Sequence, residues 1–234
     1  MRILAMDTSS QSAGCALLEG SRLLGEFFTN VKLTHSQTIL PMVQNLLDQT
    51  HTALSEVDLF AVTTGPGSFT GLRIGLSAVK GMAHALGKPC VGVSTLEALA
   101  FQFWGQEMLV APVLDARCAQ VYTALFRWEG ETLDRLEPDQ AIPIAQLEQR
   151  LKNEKKAVFL VGDGAEMCYN MLNERLPLLR LAPPTLRYTH AGALALAAQR
   201  AARLGYTVSA EQLAPAYLRL PQAERELLAK QQSV

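Results

Sequence analysis

Short apolar runs alternate with helically spaced apolar residues through the first half of the chain. Apolar runs bounded by turn residues predict strands, whereas apolar residues that recur with a helical period predict helices. The predicted elements are strands at residues 2–6, 14–18, 23–29, 59–64 and 90–93, helices at 35–54 and 70–86, and a short helix from residue 95. Pro41 must bend the first helix or lie in its first turn, and Gly87 ends the second helix.

The second half of the chain begins with the same pattern as the first. The opening strand of each half ends at an aspartate, Asp7 and Asp115 respectively, and a returning strand follows each one. The predicted elements of this half are strands at residues 108–114, 120–128 and 157–161 and helices at 144–151 and 189–204. The tail from Pro221 onward, rich in Glu, Gln and Lys, predicts a terminal amphipathic helix.

This repetition predicts two similar α/β lobes that face a cleft. We expect an N-terminal lobe at residues 1–104 and a C-terminal lobe at residues 105–234, and a last helix that packs back on the first lobe is compatible with the pattern. The organisation resembles the actin-like or Hsp70-like ATPase fold, in which each lobe is a mixed sheet flanked by helices. In that fold the two aspartate turns face each other across a nucleotide.

Composition narrows the classes of protein to which the chain can belong. The 234 residues are 49% hydrophobic and carry a net charge of -1, without the basic run expected of a protein that grips nucleic acid alone. If nucleic acid is involved, a partner supplies most of the binding contacts. No apolar window reaches the roughly 18 residues of a membrane span, so we expect a cytoplasmic protein with no membrane partner.

The cysteines and histidines do not form a metal-binding pattern. The four cysteines lie far apart in the sequence without a Cys-x-x-Cys pair, and the four histidines include no pair at i and i+4. We therefore expect neither a bound metal nor a catalytic serine–histidine arrangement.

Five segments of the chain resemble the TsaB family, the paralogous partners of the threonylcarbamoyl transferase TsaD. The matching segments are residues 3–10, 35–41, 64–75, 112–117 and 216–219. The most specific is Gly-Pro-Gly-Ser-Phe-Thr-Gly-Leu-Arg at residues 65–73. The resemblance implies a required subunit of a complex that attaches a threonylcarbamoyl group to tRNA adenosine, with a TsaD-like transferase, a TsaE-like ATPase and tRNA as partners. Whether the isolated chain forms a homodimer stays open.

One departure from the catalytic paralogue suggests that this chain performs no transfer chemistry. The paralogue's segment resembles Gly-Val-His-His-Met-Glu-Gly-His-Leu and supplies two metal-binding histidines. Here Thr95 and Leu99 stand at the matching positions, and neither side chain can hold iron or zinc. The resemblance therefore implies a non-catalytic subunit.

Asp7, Thr8 and Asp115 are candidates for a vestigial nucleotide site. Phosphate loops of this superfamily need glycine beside the acid so that backbone amides can approach phosphate, and neither aspartate has one. Two interpretations stay open, a structural turn and a residual nucleotide or ion contact. We expect no resident cofactor, with residual ATP or ADP binding confined to the complex.

The helix at 70–86 has two unlike faces. The bulky face suits the lobe's core and consists of Leu72, Leu76, Val79, Ala83 and Leu86. The small-residue face consists of Gly71, Gly75, Ala78, Gly81 and Ala85. Glycine inside a helix is destabilising by about 0.5–1 kcal/mol relative to alanine, so this face predicts a close approach by a second helix.

Spacing alone leaves open whether that second helix belongs to this chain or to another. The TsaB resemblance, in which first-lobe helices pair with those of TsaD, favours an intermolecular contact. The expected partner surface comprises His35, Gln37, Leu40, Gly71, Arg73, Gly75, Ala78, Gly81, Met82 and Ala85.

An active ATPase or small-molecule kinase is the main alternative function. Such an enzyme would use Asp7 and Asp115 directly. It would also need glycine-rich turns at both aspartates and an acid placed as a base, and neither is recognisable in the sequence.

Overall fold

The structure is a computed structural model that describes residues 1–31 and 33–219. The predicted tail helix from Pro221 onward lies outside the described residues. The strands are β1 (Arg2–Asp7), β2 (Ala13–Glu19), β3 (Arg22–Thr29), β4 (Leu59–Gly65), β5 (Cys90–Ser94), β6 (Met108–Asp115), β7 (Gln120–Glu129), β8 (Thr132–Pro143), β9 (Val158–Val161) and β10 (Leu179–Leu181). The helices are α1 (His35–Gln49), α2 (Phe69–Leu86), α3 (Thr95–Phe101), α4 (Ile144–Leu151), α5 (Ala165–Leu172) and α6 (Ala191–Arg203).

The strands form two five-stranded sheets that share one topology. The first sheet has the order β3-β2-β1-β4-β5, and the second has the order β8-β7-β6-β9-β10. In each sheet the first three strands in the chain form an antiparallel meander, and the last two strands continue the sheet in parallel. This confirms the predicted fold of two similar α/β lobes.

Helices cover both faces of each sheet, which explains the continuous apolar runs of the central strands. In β1, Leu4 and Met6 pack with α1 and α2, whereas Ile3 and Ala5 point to the opposite core. That second core lies between the two sheets and contains α3 and α6. Although α6 follows the second sheet in the chain, it contacts β1 and β2 of the first sheet. A third core joins the second sheet to α4 and α5.

Several elements differ from the sequence prediction. The first helix ends at Gln49 rather than at residue 54, because His51 adopts a left-handed φ of 49° and the N–H of Thr52 donates back to the carbonyl oxygen of Leu47. Pro41 lies in the middle of α1, on its exposed side. Three elements were not predicted at all, namely β8, α5 and β10.

Candidate functional site

The two lobes face each other across a cleft of about 690 Å³. Its walls come from the loops that follow β1, β4, β6 and β9 and from residues 216–219, which we call the strap. This is the position at which the fold brings the two aspartate turns together. Asp115 lines the cleft, but Asp7 and Thr8 do not.

Asp7 is completely buried at the end of β1. Its Oδ1 accepts hydrogen bonds from the backbone N–H and the hydroxyl of Ser9 and from the hydroxyl of Thr63, at 3.2, 2.6 and 2.6 Å. Burial raises the pKa of Asp7, and these hydrogen bonds only partly offset that effect. The carboxylate organises the turn beneath the cleft, and no part of it is exposed to a ligand in the cleft.

Thr8 is bonded to the start of α2 instead of facing a ligand. Its hydroxyl donates to the carbonyl oxygen of Gly71 at 2.7 Å, and the residue is 1% exposed. Next to it, the N–H of Ser68 donates to the carbonyl oxygen of Ser9 at 2.6 Å, and a β-carbon on Gly67 would overlap that oxygen. The amides of Ser9 and Ser68 are therefore engaged within the chain.

The second aspartate turn is more open. The N–H of Asp115 donates to Oδ1 of Asp163 at 3.0 Å, and Oδ1 of Asp115 accepts from the N–H of Arg117 at 2.8 Å. Burial raises the pKa of Asp163 to about 6. Asp163 was not among the site residues predicted from the sequence, although the Gly-Asp-Gly turn after a buried strand is a signal that could have singled it out.

A groove of about 590 Å³ lies between α1 and α2 on the outer face of the first lobe. It brings together three residues of the expected partner surface, Leu40, Arg73 and Ala78. Leu40 is 51% exposed, so it offers apolar surface within a concave site. The remaining lining residues are Ser36, Ile39, Phe69, Thr70, Ile74 and Ser77.

The other expected surface residues lie outside the groove. Gln37, Gly81 and Ala85 are exposed, whereas Met82 is half-buried against the core beneath α2. A ring nitrogen of His35 lies 2.8 Å from the carbonyl oxygen of Ser10, so this histidine ties the start of α1 to the first aspartate turn.

Gly71 and Gly75 are buried inside their own lobe, which corrects the expectation that they face a partner. A β-carbon on Gly71 would overlap the carbonyl oxygen of Thr8, and one on Gly75 would lie 2.5 Å from the Thr8 hydroxyl oxygen. The close approach that these glycines permit is made by the end of β1. Only the part of the small-residue face around Ala78, Gly81 and Ala85 is left for another molecule.

Thr95 and Leu99 are both fully buried, and Leu99 belongs to the core between the sheets. They lie on one side of α3, four residues apart, and α3 packs against α6. Neither residue lines the interlobe cleft. Among residues 1–31 and 33–219, no group of three His, Cys, Asp or Glu residues is arranged to hold a metal ion.

The strap joins the two lobes at the mouth of the cleft. The N–H of Ala216 donates to the carbonyl oxygen of Thr64 in the first lobe at 2.8 Å, and Nη1 of Arg219 donates to the carbonyl oxygen of Ala116 in the second at 2.6 Å. Between these two anchors, the ring of Tyr217 stacks on a ring of the first lobe. In the sequence alone, residues 216–219 stand out only as one of the five segments that carry the family resemblance, with no role assigned to any of them.

Within the described ranges, no helix combines the length and hydropathy needed to cross a bilayer.

Comparisons with protein families and with individual relatives agree with the family resemblance found in the sequence. Residues 24–227 match the model of the family described as TsaD, tRNA N6-adenosine threonylcarbamoyltransferase. The tRNA threonylcarbamoyladenosine biosynthesis protein TsaB of Bacillus subtilis is 35% identical over 75% of this chain and 77% of that protein. The protein of the same name from Escherichia coli is 32% identical over 99% of this chain and 100% of that protein.

Comparisons with solved structures give the same fold. YeaZ from Pseudomonas aeruginosa superposes with a TM-score of 0.79 at 30% identity, covering 93% of this chain and 99% of that one. The ROK hexokinase of Thermus thermophilus superposes with a TM-score of 0.52 at 13% identity, covering 86% of this chain and 100% of that one. At that identity the hexokinase shows the fold alone, which is the actin-like ATPase fold.

Proposed function

The chain belongs to the TsaB family of tRNA threonylcarbamoyladenosine biosynthesis proteins, and from this premise we propose that it is a non-catalytic subunit that binds and stabilises a TsaD-like transferase. Such a transferase would share its fold, since the TsaD family model spans most of this chain. Its reaction would combine threonylcarbamoyl adenylate with a tRNA adenosine. A TsaE-like ATPase and tRNA would complete the assembly.

The observation that carries the proposal is the burial of Thr95 and Leu99. In the segment that the resemblance assigns to the transferase, histidines at these positions bind the metal of the transfer site. Here a threonine and a leucine occupy them, both without solvent exposure, and Leu99 belongs to the core between the sheets. A metal at this place would lack both its imidazole ligands and an open path to substrate.

The first aspartate turn supports a non-catalytic role with respect to nucleotides as well. Asp7 is buried, and Ser9 and Ser68 use their amides on partners within the chain. A phosphate group would have to displace those bonds to reach either of these two amides. We therefore expect no ATP turnover by the isolated chain, in contrast to a kinase of the same fold.

The groove between α1 and α2 is the proposed partner surface. Its exposed apolar residue, Leu40, faces the small side chain of Ala78 across a concave surface, and Arg73 at its edge offers a charged donor. Arginine and apolar anchors in a concave site are typical of the residues that dominate binding energy at protein interfaces. The net charge of -1 also fits a subunit that contacts tRNA only through its partners.

Reconstitution from purified components tests the proposal. The chain, a TsaD-like transferase, a TsaE-like ATPase, ATP, tRNA and threonylcarbamoyl adenylate are combined, and each protein is omitted in turn while modified adenosine is quantified. We expect modification to require both the chain and the transferase, and the chain alone to give neither modified tRNA nor ADP. Modification by the chain alone, or a transferase that is fully active and stable without it, would refute the proposed role.

A further inference from the structure

The strap and the partner groove share the first turns of α2. Phe69 and Thr70 line both the interlobe cleft and the groove, so one short piece of helix forms a wall of each. The ring of Tyr217 stacks on the ring of Phe69, with a centroid separation of 4.6 Å. A residue near the end of the described chain thus contacts a wall of the groove from the cleft side.

Arg73 is held by the same cluster. Its guanidinium carbon lies 3.8 Å from the centre of the Phe69 ring, and its Nε donates to the Tyr217 hydroxyl at 3.0 Å. Arg73 is an exposed residue. An exposed arginine normally samples many rotamers, but here a stacking contact and a directed hydrogen bond fix one of them.

From this geometry we propose that Tyr217 is a positioning residue of the partner surface. Tyr217 does not line the groove; it acts through Arg73 and Phe69, which do. The inference rests on the proposed function, since it concerns the surface that binds the TsaD-like partner. Pre-organising Arg73 before association reduces the side-chain entropy lost on binding, and so the Tyr217 hydroxyl contributes to affinity without touching the partner.

The two anchors of the strap link the position of Tyr217, and through it that of Arg73, to the second lobe. Ala216 is fixed to Thr64 in the first lobe and Arg219 to Ala116 in the second, and Tyr217 lies between them. The position of Tyr217 therefore depends on anchors in both lobes, and we expect Arg219→Ala to weaken partner binding as well.

A double-mutant cycle between Tyr217 and Arg73 tests the inference. The affinity of the TsaD-like partner is measured by calorimetry for the wild type, Tyr217→Phe, Arg73→Ala and the double variant. Phenylalanine keeps the stacking ring and removes only the hydroxyl. We expect Tyr217→Phe to weaken binding about threefold to tenfold, and to cause no further loss in the Arg73→Ala background, because its effect passes through Arg73.

Tyr188→Phe is the matched control, since the Tyr188 hydroxyl also accepts a side-chain hydrogen bond, from Gln11 at 2.6 Å, away from the groove. We expect it to bind the partner like the wild type. A second measurement needs no partner: in a ¹H–¹⁵N spectrum of the isolated chain, the Arg73 Nε–H signal should move to the position of a free arginine in Tyr217→Phe.

The outcomes separate this inference from the proposed function. A wild-type chain that does not bind the partner would overturn both. Normal wild-type binding with unchanged affinity for Tyr217→Phe, an undiminished loss in the Arg73→Ala background, or an unmoved Arg73 signal would overturn the inference alone.

Discussion

The hydroxyl of Thr8 donates a hydrogen bond to the carbonyl oxygen of Gly71, 2.7 Å away and 63 residues further along the chain. This bond ties the end of β1 to the first turn of α2. The two backbones approach so closely that Gly71 has no room for a side chain. This contact therefore couples the conformation of the first aspartate turn to the position of α2, which carries half of the partner groove.

Gly71→Ala and Gly81→Ala should have opposite effects on stability. A β-carbon at Gly71 overlaps the backbone oxygen of Thr8, which cannot rotate away, so we expect a loss of about 1–3 kcal/mol in the free energy of unfolding. At Gly81 nothing lies within 4 Å of the added carbon, so alanine should stabilise the helix by about 0.5–1 kcal/mol. Urea unfolding of the two variants checks both. A Gly71→Ala variant as stable as the wild type would contradict the packing described for this turn.

Asp163→Asn should stabilise the protein at alkaline pH but not at acid pH. Burial raises the pKa of Asp163 from 3.8 to about 6, so the folded state binds its proton more tightly than the unfolded chain. The favourable contribution of protonated Asp163 to the free energy of unfolding is fully present below about pH 4 and is lost as the pH rises through 6. Asparagine keeps an oxygen that can accept the N–H of Asp115, so at pH 8 we expect a gain of about 1–3 kcal/mol. Urea titrations from pH 4 to pH 8 measure the free energy of unfolding of the variant and the wild type. A difference between the two that does not vary with pH would contradict this account.

The ion pair between Glu26 and His190 should stabilise the packing of α6 on the first sheet in a limited pH range. Nδ1 of His190 lies 3.3 Å from Oε1 of Glu26, and the N–H of Gly192 donates to the same oxygen at 3.1 Å. The hydrogen bond to Glu26 raises the pKa of His190 against the effect of burial. Burial disfavours ionised Glu26, but the bonds from His190 and the backbone outweigh it and lower its pKa.

Glu26→Gln should therefore cost most between about pH 4.5 and 6.5, where both groups are charged in the native state. The contribution of His190 is complete below its unfolded pKa of 6.5 and is lost as the pH rises through its higher folded value. The contribution of Glu26 is present above its unfolded pKa of 4.5 and is lost as the pH falls through its lower folded value. We expect a loss of about 1 kcal/mol at pH 6 and a smaller one at pH 8.5. In a His190→Gln background, the destabilisation caused by Glu26→Gln should no longer depend on pH. If it still does, groups other than His190 cause the pH dependence.

The sequence predicts the buried parts of the fold well and the edges poorly. The central strands β1, β4 and β6 are covered on both faces, so their apolar runs are unbroken. By contrast, β8 (Thr132–Pro143) lies at the edge of its sheet, and most of its residues are exposed or half-buried. Such a strand has neither an apolar run nor a clean alternation, and β10 is only three residues long.

At the candidate site, too, the sequence predicts some features and leaves others undetermined. The glycines of α2 indicate that some element approaches closely, but a repeat of small residues does not say which element. The structure assigns Gly71 and Gly75 to Thr8. The turn after Asp115 is a second case, since residues 117–119 all adopt left-handed φ values although none of them is glycine. A tertiary contact accounts for the two glycines, and local sequence preference reports neither feature.

The affinity of a TsaD-like transferase for Leu40→Ser is the most direct test of the proposed partner surface. Leu40 is 51% exposed in the groove between α1 and α2, whereas Leu204 is 64% exposed just after α6 and lies outside the groove, so Leu204→Ser is the matched control. Because both side chains are largely exposed, neither substitution should lower the melting temperature of the isolated chain by more than a degree or two.

Full burial of a leucine side chain contributes about 1.5–3 kcal/mol, and Leu40 is 51% exposed, so a partner that covers it gains about half of that. Leu40→Ser should therefore weaken binding about threefold to tenfold, while Leu204→Ser binds like the wild type. Leu40→Ser with wild-type affinity, or an equal loss from Leu204→Ser, would contradict the assignment of this groove as the partner surface.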